Sequence, residues 1–339
     1  MNDSTAVCID SVEVKNVNQR RQLSWCLSAF GLLILILDGK TAFHGAMSGI
    51  ELCLKTVIPA LFPFLVLSAV LLNSTPLSSH LEKAVSSLFG LPEGTGSLLL
   101  PCFLGGYPVG AQSVYQAYAG GQLQKQEAER LLAFCNNAGP AFLFGMIGQV
   151  FTKSWMPWVL WGIHVAGAWA AARCVPCIGT SARFDGRPVK SRSDIMRGAV
   201  STMGIICGWI VLFRVLIAFL DRWILWLLPQ TARVAFIGLL ELSNGCCELA
   251  QIRNISTRFI LCSVFLAAGG LCVTAQTISV TPGLSLRYYF FGKAIQILVS
   301  LILSSGIMYR SPMPLLLLLP PLFYQYSKKR SRNHALTGV

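Results

Sequence analysis

Apolar residues run along this chain in blocks of membrane length, separated by short polar stretches. A helix needs about 20 residues to cross a bilayer. The first block is Leu23 to Leu37, followed by an amphipathic stretch from Thr41 to Leu54. Then come Thr56 to Leu72, Gly96 to Ala119, Leu131 to Val150 and Trp155 to Ala172. Beyond a polar interval lie Ala199 to Leu220, Arg233 to Leu249, Phe259 to Ile278, Tyr288 to Met308 and Pro314 to Tyr324. A partly amphipathic piece between Asn73 and Gly94 reads as interfacial. The pattern predicts an all-α polytopic membrane protein of about 8–10 transmembrane or re-entrant helices, with no substantial soluble domain.

Two blocks carry helix-breaking residues where lipid would surround them. Gly105-Gly106-Tyr107-Pro108 interrupts one, and Asn136-Asn137-Ala138-Gly139-Pro140 the next. Irregular backbone at membrane depth is tolerated only when it is buried in protein or lines a watery cavity. A re-entrant hairpin at one of these breaks meets that requirement.

Charge sets the orientation. Of 339 residues, 54% are hydrophobic and 12% charged, against about a quarter charged in soluble domains. The net charge of +13 gathers at Lys15 to Arg21, Arg173 to Arg197 and Lys328 to Arg332. These are flanks and loops, which the positive-inside rule places in the cytoplasm. No stretch interleaves basic residues with exposed aromatics, so nucleic acid is not an expected partner. The expected organisation is a tail over residues 1–22, a first membrane half over 23–172, and a basic loop over 173–197. A second half over 198–326 and a basic tail over 327–339 complete it. Each half holds five blocks between cytoplasmic flanks, so parity asks one in each not to cross. Pro314 to Tyr324 is the candidate in the second half. The run Leu23 to Leu37 lacks a cleavage site and reads as a retained anchor. The twelve cysteines read as reduced, mostly structural thiols. The Cys174-Val175-Pro176-Cys177 motif lacks the second ligand pair that zinc requires.

The first break has an echo. Gly105 to Gln112 (GGYPVGAQ) aligns with Gly269 to Gln276 (GGLCVTAQ), sharing GGxxVxAQ. Paired, glycine-interrupted segments in corresponding halves point to a transporter binding site; close helix packing by small residues is the alternative. Gln112 is expected to face Gln276 across a pseudo-twofold.

Polar groups inside apolar segments are costly and mark function or pairing. Asn136 and Asn137 offer amide donors and acceptors beside a break. Glu241, with Ser243 and Asn244, stands mid-segment and suits a proton- or sodium-coupling group, or a partner for a cation. Arg214 is seven residues from Asp221 and suits a carboxylate. Lys293 reads as snorkelling to an interface, and His164 as a hydrogen-bonded core residue. Gln124, Glu127 and Arg130 share a helix face that reads as solvated. There is no GxSxG, Walker A or HExxH motif, and no enzyme is expected.

The residues also carry a resemblance. "GGYPVGAQSVYQAYAGGQLQKQEAERLLAFCNNAGPAFLFGMIG" (residues 105–148) resembles the YlbJ (SpoVV) family of sporulation integral membrane proteins. So do "IPALFPFLVLS" (Ile58 to Ser68), "LLELSNG" (Leu239 to Gly245) and "GGLCVTAQ" (Gly269 to Gln276). Tyr115 to Gly121 is less charged than the family's pattern there. The family is grouped with nucleoside recognition, or Gate, domain proteins, similar to concentrative nucleoside transporters. The resemblance implies an inverted-repeat, transporter-like fold with re-entrant hairpins. It implies a role in endospore formation, moving dipicolinic acid across the outer forespore membrane derived from the mother cell.

Together these readings place a midplane site at Gly105, Gly106, Gln112, Asn136, Asn137, Arg214, Glu241, Asn244, Gly269, Gly270 and Gln276. No metal is expected. The expected partners are the lipid bilayer and a small anionic substrate, whose carboxylates would suit Arg214, the two asparagines and Lys293. A coupling proton or sodium ion and a homo-oligomer stay open. So do a nucleoside or other small-anion carrier, and a non-transporting protein of spore-envelope assembly.

Overall fold

The computed structural model describes residues 22–23, 25–74, 78–91, 95–175 and 192–311. The N-terminal tail, most of the basic loop with Cys177, and the stretch from Pro314 to the C-terminus lie outside the described residues. The described residues are helical almost throughout and contain no strand.

Helix α1 (Trp25–Leu37) exposes nearly all its large apolar side chains, among them Leu27, Phe30 and Ile36, as a lipid-facing helix does. Helices α2 (Gly39–Leu52) and α3 (Ile58–Ser74) are joined by a single wide π-turn, Cys53–Val57. The two segments expected here are therefore one apolar span, Gly39–Val70. Pro59 explains the joint. Its missing N–H and its ring disturb the turn before it, and a π-turn absorbs the disturbance without ending the helix.

Helix α9 (Arg192–Trp223) starts inside the region expected to be loop, with Asp194 in its first turn, where a carboxylate favours helix initiation. It runs against α2. Gly45 and Gly49, one turn apart, form the seam. A Cβ at Gly45 would stand 2.9 Å from Val215 Cα, and one at Gly49 2.9 Å from Val211 Cα. This is the small-xxx-small arrangement by which membrane helices approach closely.

The remaining long elements are α8 (Trp155–Cys174), α12 (Ile255–Ala268) and α14 (Arg287–Tyr309). Helix α14 packs against α8, α12 and α7 (Lys125–Cys135), and so touches both halves of the chain. Gly292 permits this, because a side chain there would occupy the place of the Ala133 carbonyl. Short helices fill the rest: α4 (Ser79–Phe89), α5 (Leu99–Leu104), α6 (Val109–Ala119), α10 (Gln230–Leu240), α11 (Leu242–Glu248) and α13 (Gly270–Val280).

Among the described residues, four helices are long and apolar enough to cross a membrane: Gly39–Val70, Ser193–Trp223, Ile255–Val280 and Arg287–Tyr309. The architecture is the all-α polytopic one that the apolar blocks predict. One expectation fails at the entry to α7. Gln124 and Glu127 form a capping box, and the Arg130 guanidinium stands 5.7 Å from the Tyr288 ring. Glu127 and Arg130 are buried rather than solvated: Glu127 Oε2 accepts from the Gln124 N–H at 3.0 Å, and Arg130 stands against the ring.

Replacing Gly49 with Leu should force α2 from α9 and lower stability by roughly 1–3 kcal/mol, the scale of overpacking. Thermal unfolding of the purified protein in detergent checks this. Gly208→Ala on α9, where a Cβ meets nothing within 4 Å, should not lower the midpoint, since alanine favours a helix over glycine by about 1 kcal/mol.

Candidate functional site

Four interruptions of apolar helices converge. In the first half they are Gly105–Pro108, between α5 and α6, and Asn136–Gly139, after α7. In the second half they are Glu241, between α10 and α11, and Gly269, between α12 and α13. Three of these were legible as glycine or amide clusters. The break at Glu241 was not expected.

Each break has a local cause. Gly106 takes a left-handed φ of 72° and lies against Gly139, where a Cβ on either would come to 3.0 Å of the other's backbone nitrogen. The two first-half breaks therefore pack backbone to backbone. Pro140 then restarts the chain as a wide π-turn, Ala141–Met146. Gly269 and Gly270 take φ of 72° and 79°, and Gly270 lies over the Leu239 and Leu240 carbonyls. Glu241 is extended and caps α11 with its own carboxylate. Oε1 accepts from the Ser243 backbone N–H at 3.0 Å, and Oε2 from the Asn244 backbone N–H and side-chain amide, both at 2.6 Å. A carboxylate at a helix N-terminus is stabilising.

Tyr107 and Lys293 tie the halves together. The Tyr107 hydroxyl donates to the Leu266 carbonyl at 2.8 Å and accepts from Lys293 Nζ at 3.2 Å. The Lys293 ammonium also donates to the Asn136 carbonyl at 2.8 Å and to Gln296 Oε1 at 3.2 Å. The Gln296 amide in turn donates to the Ala133 carbonyl at 3.0 Å. The Tyr107 and Tyr289 ring centroids stand 5.0 and 5.8 Å from Nζ, within reach of a cation–π interaction. No carboxylate pairs with Lys293 among the described residues. Lys293 therefore does not snorkel. It is 5% exposed and serves the carbonyls that the end of α7 leaves without helical partners.

A pocket opens beside this hub. Its polar lining comes from Gly105, Gly106 and Tyr107 at one break, Glu241 and Ser243 at another, and Gln276 on α13. Apolar side chains of α3, α9 and the π-turn after Pro140 close the walls, including Phe64, Ile210 and Phe142. The space holds only a few water-sized groups in this conformation.

Of the expected site residues, Gly105, Gly106, Glu241 and Gln276 line the pocket. Asn244 caps Glu241, and Gly269 backs onto the Tyr107 ring, so the two GG motifs do meet. Asn136 and Asn137 are fully buried outside the lining. Asn136 donates to Thr277 Oγ1 at 2.7 Å and Asn137 to the Phe134 carbonyl at 2.6 Å. His164 accepts from the Ala138 N–H at 2.9 Å, as expected of a core histidine.

Two further expectations do not hold. Arg214 is directed away to Ser48 Oγ, 3.0 Å, and Glu248, 3.9 Å. Glu248 also pairs with Arg233 at 2.9 Å, and Arg233 pairs with Asp221 at 2.9 Å, so the arginine is held by the protein's own acids. Gln112 does not line the pocket, and it does not pair with Gln276, whose amide contacts Cys272 Sγ at 3.5 Å. The echoed motifs meet through Tyr107 and Gly269 instead. Tyr107 and Gln296 were missed as site residues, and Lys293, expected at an interface or on a cargo carboxylate, binds the protein's own acceptors instead. Their signal was a lysine beside a glycine in a membrane segment, with an amide one turn on.

No family model and no solved structure matches the chain. The chain is similar to the sporulation integral membrane protein YlbJ of Bacillus subtilis (strain 168). The two are 22% identical over 307 residues, covering 76% of this chain and 75% of that protein.

Tyr107→Phe removes the hydroxyl that joins Lys293 to the Leu266 carbonyl. It should lower stability by about 1–3 kcal/mol, the cost of stranding buried polar partners. Gln112→Ala should not, and thermal unfolding of the two purified variants makes the comparison.

Proposed function

We propose, from the premise that this chain belongs with the YlbJ family of sporulation integral membrane proteins, that it is a carrier acting in endospore formation. Its cargo is a small polar solute, bound in the pocket where the breaks of the two halves converge. That convergence carries the reading. Broken helices meeting between two halves of an apolar chain present backbone and polar side chains to a solute, which unbroken helices do not. The pocket is too small for a cargo in this conformation, so loading requires the halves to part. The Tyr107–Leu266 contact is on the line where they would do so. Alternating access between the halves is the mechanism.

The resemblance makes dipicolinic acid the cargo and the outer forespore membrane the place. A second reading has its own support. The charged side chain lining the pocket is an acid, Glu241, beside an amide and a hydroxyl. That set suits a neutral heteroaromatic with N–H donors, such as a nucleoside. Calorimetric titration of the purified protein with dipicolinate and with nucleosides separates the two cargoes.

In sporulating cells, Glu241→Ala should lower dipicolinate content by about tenfold, the scale of losing one buried polar anchor. Membrane abundance of the protein should hold. Normal dipicolinate with this variant would instead favour an assembly role.

A further inference from the structure

We infer that Glu241 is the proton-binding group of this pocket: an anionic cargo enters together with one proton, held between a cargo carboxylate and the Glu241 carboxylate. The inference rests on the carrier reading above and adds what accompanies the cargo.

Three observations lead to it. Glu241 lines the pocket and is 2% exposed, so a bound anion would stand against it without water between. Its oxygens are held by the start of α11 and the Asn244 amide, and no lysine, arginine or histidine pairs with it among the described residues. The cations of the neighbouring helices are occupied elsewhere, Arg214 and Arg233 with Glu248, and Lys293 with carbonyls and Tyr107. The titratable groups that face Glu241 are thiols: Cys53 on the π-turn after α2, Cys246 and Cys247 on α11, and Cys272 on α13.

The chemistry then follows from charge. Two carboxylates sharing a dry site cannot both be ionised, and they settle by sharing one proton. The proton sits as O–H···O⁻ between cargo and Glu241, an arrangement stronger than a neutral hydrogen bond. The same step returns Glu241 to its ionised, α11-capping state when the cargo and proton leave. A neutral cargo would need no proton, so proton uptake itself reports the charge of what is bound.

The test is binding of dipicolinate to the full-length protein in lipid nanodiscs, with proton uptake read in weakly buffered solution. The pH is kept well above about 4, the range of free carboxylic acids, so that the ligand is ionised before binding. The wild-type protein should take up one proton per ligand, and its affinity should fall about tenfold per pH unit as pH rises. Glu241→Gln, a mimic of the protonated side chain, should bind with affinity independent of pH and with no proton uptake. Glu241→Asp should restore both dependences. Wild-type binding without proton uptake would overturn the inference and leave the carrier reading standing. Absence of binding of both dipicolinate and nucleosides at every pH, in wild type and in Glu241→Gln alike, would overturn both; binding of nucleosides but not dipicolinate would overturn the inference alone. Thermal unfolding of each variant confirms that it is folded.

Discussion

Inside a membrane, a broken helix must have its freed backbone groups satisfied by the protein itself. This chain breaks four apolar helices at one level, and the rest of the structure depends on how those groups are met. The Lys293 ammonium takes the Asn136 carbonyl, and through Gln296 the Ala133 carbonyl. Tyr107 carries the chain of bonds on to Leu266, across to the other half. Among the described residues no acid neutralises the positive charge. It is spread over carbonyl dipoles and two aromatic faces, which together suit a buried cation. Glycines at Gly106, Gly139 and Gly292 are required because backbone, not side chain, makes the close contacts.

The second consequence is a short helix held at both ends. Glu241 caps the start of α11, and Glu248 at its end is shared between Arg214 and Arg233. Seven residues make few helical hydrogen bonds, so α11 owes its place to these anchors and to packing. The pocket inherits an asymmetry from this arrangement. A carboxylate lines its wall, while the cation stands behind Tyr107. Any account of what the pocket accepts has to begin from that order of charges.

Much of the architecture was legible in the sequence. Apolar blocks of spanning length gave the helices, and glycine and amide clusters gave three of the four breaks. The reading failed where local pattern is silent about tertiary partners. Thr41 to Leu54 and Thr56 to Leu72 read as two segments, but a π-turn at Cys53–Val57 carries one helix through both. Glu241 looked like a mid-helix acid. It is instead the N-cap of α11, its carboxylate accepting from the Ser243 and Asn244 N–H groups, a role hidden in an apolar run. Arg214 suits a cargo carboxylate by local pattern alone, because its acid, Glu248, comes from α11, distant in sequence. Lys293 reads as interfacial by local pattern because two of its acceptors, the Tyr107 hydroxyl and the Asn136 carbonyl, come from the first half. The GGxxVxAQ echo joins the first break of one half to the second break of the other. It is thus out of step with the order of breaks, yet its two copies do meet in space.

The central claim is that cargo binds where these breaks converge. An electron cryomicroscopy structure of the purified protein with dipicolinate tests it most directly. The account predicts density for the ligand among Glu241, Gln276 and the Gly105–Tyr107 backbone, with the pocket widened to hold it. Ligand density elsewhere on the protein, with this pocket still closed and Tyr107 still bonded to Leu266, would contradict it.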